Sequence, residues 1–134
     1  MRQFWSVTFL LASLLAMSGA LAHHSAVAEY DLDKPMSISG TIKRVDWQNP
    51  HIWYCLDVKE KDGSLSEWGV SGGAPGQLMR RGITKDLLVV GSEVNVEGFK
   101  AKDGSNNGFG QRVTYKDGRN VFTATDPAGR APQQ

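Results

Sequence analysis

Met36-Ser37-Ile38-Ser39-Gly40-Thr41-Ile42-Lys43-Arg44-Val45-Asp46-Trp47 is the stretch that decides how this chain reads. Met36, Ile38, Gly40 and Ile42 recur at every second position. The phase then slips by one, and Val45 and Trp47 carry the apolar positions. Period two is the signature of a strand, and a one-residue slip inside a strand is what a β-bulge produces. Gly40 removes a side chain where strong curvature would crowd it. The stretch therefore predicts one long, bent, bulged strand.

Working outward, Gln48-Asn49-Pro50 breaks that strand, because the residue before proline is pushed out of helical backbone and Asn-Pro favours a turn. A second strand, His51 to Lys59, alternates cleanly. Ile52, Tyr54, Leu56 and Val58 face one way, and His51, Trp53, Cys55 and Asp57 the other. Asp62-Gly63 is a hairpin signal leading to a third strand, Leu65 to Val70. Ser71 to Gly82 changes character: Pro75 suits a first helical turn, Leu78 and Met79 give an apolar stripe, and Gly82 suits the position past a helix end. A further turn over Thr84 to Leu88 precedes a fourth strand with Val94 and Val96 inward. Lys102 to Gly110 reads as a loop, Phe109 to Tyr115 as a fifth strand, and Asn120 to Thr123 as a short sixth after Asp117-Gly118. Three strands, a helix and two or three more strands is the order of an OB-fold, so the chain reads as all-β with one short helix, a five- to six-stranded Greek-key barrel. A β-sandwich with a helical crossover is the competing architecture.

Residues 1–22 combine one positive charge at Arg2, a 14-residue apolar run from Phe4 to Met17, and the ending Ala20-Leu21-Ala22. That is the grammar of a secretory signal peptide, and the run is shorter than the roughly 20 residues of a membrane-spanning helix. The expected organisation is a signal peptide at 1–22, an extended leader at 23–35, the barrel at 36–123 and a loose tail at 124–134. The destination is the periplasm or the medium. Without Arg2 the chain carries 14 basic and 14 acidic side chains, a balance that gives nucleic acid or anionic lipid little overall attraction. The single cysteine, Cys55, cannot form an internal disulfide. These features exclude a membrane span, a disulfide scaffold and a basic nucleic-acid binder.

Four stretches carry a resemblance. They are His23-His24-Ser25, Trp47-x-Asn49-Pro50-His51, the segment from Gly72 to Gly98, and Ala101-Lys102-Asp103-Gly104-Ser105. In combination and order they resemble a family of small exported bacterial proteins classed as a domain of unknown function. The resemblance spans nearly all of the chain after residue 22. It implies export and a shared architecture, and no chemistry.

Chemical clues centre on the three histidines. Cleavage after Ala22 would put an α-amine, with a pKa of about 7.7–8.0, and an imidazole, at about 6.5, on one residue, His23. An amine and an imidazole in one chelate suit copper(II) best. His24 adds a second imidazole and His51 a third beside the proline corner, with Asp31 or Asp33 placed to orient a ring. The alternative is that His23 and His24 are solvated terminal residues and His51 merely caps a turn. Trp53, with Trp47 and Asn49 near it, forms either a stacking platform for a small organic ligand or partner protein, together with the Lys102–Gly110 loop, or ordinary secondary core under the leader and helix. The loop's oxygen groups lack the calcium-loop pattern. Cys55 shares a face with His51, but four strand residues separate them by about 13 Å, too far for proton transfer. The Gly72-Gly73-x-x-Gly76 cluster lacks nucleotide-binding spacing, and no nucleophile elbow or zinc-protease motif occurs. The chain reads as a binding protein with no catalytic constellation. Mass spectrometry of the exported form is expected to find a chain beginning at His23; any other start removes the terminal chelate.

Overall fold

The computed structural model describes residues 28–124. The expected signal peptide, His23, His24 and the tail beyond Ala124 lie outside the described residues. Strand β1 runs Tyr30–Asp46, β2 Trp53–Lys59 and β3 Leu65–Ser71; helix α1 follows at Pro75–Arg80, then a single 3-10 turn at Lys85–Leu87. Strands β4 (Glu93–Ala101), β5 (Asn107–Tyr115) and β6 (Asn120–Thr123) complete the order.

Neighbouring strands run β3-β2-β1-β4-β5-β6, and β3 also pairs with β5 in parallel, Gly69 to Ser71 against Asn107 to Phe109. That second pairing closes the sheet on itself. With β1 between β2 and β4 and the helix between β3 and β4, the closed sheet is an OB-type Greek-key barrel. Closure also disposes of the sandwich alternative, which would leave two separate sheets.

The long first strand performs both halves of the closure. It pairs with β4 from Tyr30 to Thr41 and with β2 from Gly40 to Asp46. The expected bulge lies between Ile42 and Arg44, where the register moves from Ile42↔Leu56 to Arg44↔Cys55. Gly40 sits where the strands press together: a Cβ there would lie 2.7 Å from the Asp57 carbonyl oxygen. The β1 hydrogen-bond ladder starts at Tyr30, six residues before Met36. Tyr30 and Asp31 pair with Ala101 and Lys100, and a second irregularity between Asp31 and Pro35 absorbs the proline. Tyr30 is buried, its ring 5.9 Å from that of Phe109. No apolar alternation marks these residues, because a strand-edge proline and three charged side chains interrupt it.

Strand β5 likewise begins inside the expected loop, since Asn107 and Gly108 are drawn in by β3 and β4. The helix is shorter than the 71–82 segment. Ser71 belongs to β3, and Gly72 and Gly73 continue the attachment to the chain before β2. The Ile52 N–H donates to the Gly73 carbonyl (3.1 Å) and the Gly72 N–H to that of Ile52 (2.9 Å). Gly82 ends the helical region with φ +76°, a left-handed backbone that favours glycine. Beyond β6, Ala124 is still buried, its N–H donating to the Gln111 carbonyl at 2.7 Å.

The core gathers the inward residues of every strand with Leu78, Ile83 and Leu88 from the connection. Tyr54 is its largest fully buried side chain, edge-on to Phe122. The Tyr54 hydroxyl has no hydrogen-bond partner among the described residues, and burial pushes this phenol far above its ordinary pKa. A Cβ at Gly110 would collide with that hydroxyl and lie 2.9 Å from a Val70 methyl. Because a buried polar group without a partner gives the fold nothing, Tyr54→Phe is expected to leave stability unchanged or raise it. Gly110→Ala overfills the same place and is expected to cost about 1–3 kcal/mol. Urea unfolding of the two variants measures both effects.

Candidate ligand face and its groove

Alternation along β2 sends Tyr54, Leu56 and Val58 into the barrel and leaves Trp53, Cys55 and Asp57 on its outer face. Register places Ser71, Gly69 and Glu67 of β3 beside these three in turn. On the other flank the bulge makes the difference. One extra residue in β1 lets the consecutive basic side chains Lys43 and Arg44 both reach outward over β2. The Lys43 ammonium lies 2.8 Å from a Glu67 oxygen and 3.5 Å from one of Asp57. Arg44 Nε is 3.2 Å from Asp46, and its Nη2 donates to the Cys55 sulfur at 3.4 Å. Hydrogen bonding to Glu67 raises the Lys43 pKa, and the same bond holds the Glu67 carboxyl below its usual range. Both groups are solvated, so this pair orders the face more than it stabilises the fold.

The end of this face opens into a groove of about 270 Å³ whose walls include Glu29, Tyr30, Trp53, Lys102, Asp103 and Asn107. Its loop wall is built by short-range bonds. Asp103 accepts from the Ser105 N–H (2.9 Å) and hydroxyl (2.6 Å), which holds its carboxyl below the usual range. The Asn107 amide donates to Ser105 Oγ at 3.0 Å. Two backbone bonds fix the loop to its surroundings, Gly69 N–H to Asn106 carbonyl and Lys102 N–H to Glu29 carbonyl, both 2.9 Å. The second ties the start of the described chain to the groove.

Trp53 stands between the two readings of its exposure: it is half-buried, with one flank in the groove and Gly69 beneath its ring. Trp47 is half-buried against the core cluster and is not part of the groove wall. Asn49 is exposed in the turn, next to a cis Asn49–Pro50 peptide. His51 is half-buried two residues before Trp53, and its imidazole has no hydrogen-bond or ion-pair partner among the described residues. Asp31 pairs with Lys34 at 3.2 Å and accepts from the Asp33 N–H. Among the described residues no group of three or more His, Cys, Asp or Glu side chains is placed to hold a metal ion.

The grouping of Lys43 and Arg44 with Asp57 and Glu67 is absent from the sequence reading, although the phase slip after Ile42 carried the signal for it. Tyr30 was missed for another reason, since only β1–β4 pairing brings it beside the Lys102–Gly110 loop, which the sequence already grouped with Trp53 and which supplies Lys102, Asp103 and Asn107 to the groove wall. Cys55 is buried under Arg44, and burial pushes its thiol pKa up, with Arg44 partly offsetting the rise. A protonated, covered thiol is a poor nucleophile. Ellman's reagent is expected to label Cys55 at least about a hundredfold faster in the unfolded chain than in the native one.

Comparison with known proteins gives the chain a family. The model for a family of unknown function (DUF6152) matches residues 11–111. No curated protein sequence matches. Among solved structures, the chain is similar to the mitochondrial single-stranded DNA binding protein Rim1 of S. cerevisiae, at 18% identity and a TM-score of 0.49, over 62% of this chain and 93% of that one. It is also similar to the N-terminal domain of the PriB protein of Thermoanaerobacter tencongensis, at 12% identity and a TM-score of 0.45, over 62% and 96%. The assignment of the barrel rests on its strand pairing and not on these likenesses. No helix among the described residues is long and apolar enough to cross a membrane.

Proposed function

The chain belongs to DUF6152, a family that brings no activity with it, and we propose that this member is an exported binding module which holds a copper(II) ion at the groove end of its barrel. The ligands in this reading are the α-amine and imidazole of His23, with His24, and the imidazole of His51. One observation carries it: the Lys102–Glu29 bond ties the chain at the rim of the groove lined by Trp53, and His51 lies two residues before Trp53 in the chain. Four residues lie between His23 and Ala28, and the five links reach up to about 17 Å when extended. That is ample to bring the terminus back over the rim. His51 offers an imidazole with no partner among the described residues, so a ring nitrogen is available to a metal. The ion would be held by nitrogen donors, and no redox or hydrolytic step is assigned to it.

A second reading rests on Trp53 itself. A half-buried indole in a groove with Asn107 and Asp103 suits a small organic ligand or the side chain of a partner protein, without metal. Nucleic acid is the poorer fit. On the outer face Lys43 and Arg44 are both held by carboxylates, Glu67 and Asp57 for the first and Asp46 for the second, so they offer a phosphate backbone little free positive charge.

Copper(II) titrated into the exported chain is expected to quench tryptophan fluorescence with a stoichiometry of one. Trp53→Phe should remove most of that quenching while leaving the affinity in place. His51→Ala should weaken binding at least about tenfold, the usual order of effect for losing one metal ligand. Unchanged affinity in His51→Ala ends the convergent site, and absence of any copper binding leaves the groove to an organic ligand.

A further inference from the structure

The connection between α1 and β4 exposes what the barrel face keeps paired. Leu78, Ile83 and Leu88 anchor this connection in the core. The Tyr115 hydroxyl donates to the Leu87 carbonyl at 2.7 Å, and the Gly91 N–H to that of Ile42 at 2.7 Å. The backbone is therefore ordered, and its remaining side chains are presented from a fixed frame. Met79, Val89 and Val90 are 54%, 51% and 61% exposed, three of the four large apolar side chains so open among the described residues. Arg80, Arg81 and Lys85 are exposed with them and form no ion pair among the described residues. Lys34, Lys43, Arg44, Lys116 and Arg119 each sit against a carboxylate, whereas Lys59, Lys61, Lys100 and Arg112 do not among the described residues. What sets the connection apart is three such cations close together in the chain with open apolar side chains. Asp86 is the single acid between residues 79 and 92.

Local charge along residues 79–92 thus departs from that of a nearly neutral chain, and the same stretch carries open apolar side chains. We propose that this connection docks the protein on an anionic lipid surface. Headgroup phosphates suit two guanidinium groups and an ammonium, and the boundary with the acyl chains suits methionine and valine. A second copy of the chain would bring the same cations against one another, which opposes association. Single-stranded nucleic acid is bound through aromatic stacking, and residues 79–92 contain no aromatic side chain. The inference is independent of the copper reading.

Sedimentation of the exported chain with phosphatidylcholine vesicles, with and without phosphatidylglycerol, tests it. The expected result is partition onto the phosphatidylglycerol vesicles alone, lost at high salt. Each basic residue contributes roughly a fivefold gain, so R80Q/R81Q/K85Q is expected to lower partition about a hundredfold. V89S/V90S should lower it as well, and His51→Ala should leave it unchanged. All five positions in the first two variants are exposed, so both should melt like the parent. Equal partition onto both vesicles, partition onto neither, or an unaltered triple variant overturns the proposal. A concentration-dependent dimer abolished by V89S/V90S overturns it in favour of a second copy.

Discussion

One extra residue in β1, between Ile42 and Arg44, sets much of what this barrel is. A strand shared by two neighbours in a closed sheet has to bend, and a bulge supplies bend and twist together. Without the extra residue, Val45 would pass to the solvent side and the apolar phase of β1 would conflict with that of β2. With it, Ile42 is fully buried, Val45 packs against the core, and Lys43 and Arg44 emerge side by side. Barrel closure and the charge pattern on the outer face are therefore one local event. Gly40 belongs to the same device, since only a residue without a side chain lets β1 lie against the Asp57 backbone.

The groove at the end of that face depends on closure in a second way. Its walls come from segments far apart in sequence: the start of β1, the start of β2 and the loop into β5. The parallel pairing of β3 with β5 draws Asn107 beside Gly69, and the β1–β4 ladder draws Tyr30 beside Ala101. The loop between β4 and β5 satisfies its own polar groups through Asp103, Ser105 and Asn107, so it forms a wall without needing a partner. Trp53 is half-buried in the groove where Glu29 and this loop are joined.

Two surfaces of the molecule then contrast. On the barrel face, cations and carboxylates neutralise one another across three strands, leaving an ordered, nearly charge-balanced floor beside an aromatic groove. On the connection after α1, cations stand without carboxylates next to exposed methionine and valine. Side-chain entropy and solvation make single surface ion pairs weak. The distinction therefore concerns what each surface offers a partner, and hardly concerns stability. A balanced floor suits a compact ligand held by geometry, and an unbalanced amphipathic ridge suits an extended anionic surface.

Local rules accounted for the parts of this chain that depend on near neighbours. The inward residues of β2, the bulge after Ile42 and the proline corner at Asn49-Pro50 all follow from side-chain period and turn chemistry within a few residues. So do the glycine turns, where Gly63, Gly82 and Gly118 take the left-handed backbone their positions require. What depends on distant partners was decided only in three dimensions. Tyr30 to Pro35 lack a strand pattern and join β1 because β4 is there to receive them. Lys43 finds Glu67 through register between strands that lie well apart in the chain. Period two tells each strand which side faces in, but it is blind to which strand lies alongside. The core's demand for closure supplies that second half, and with it the site.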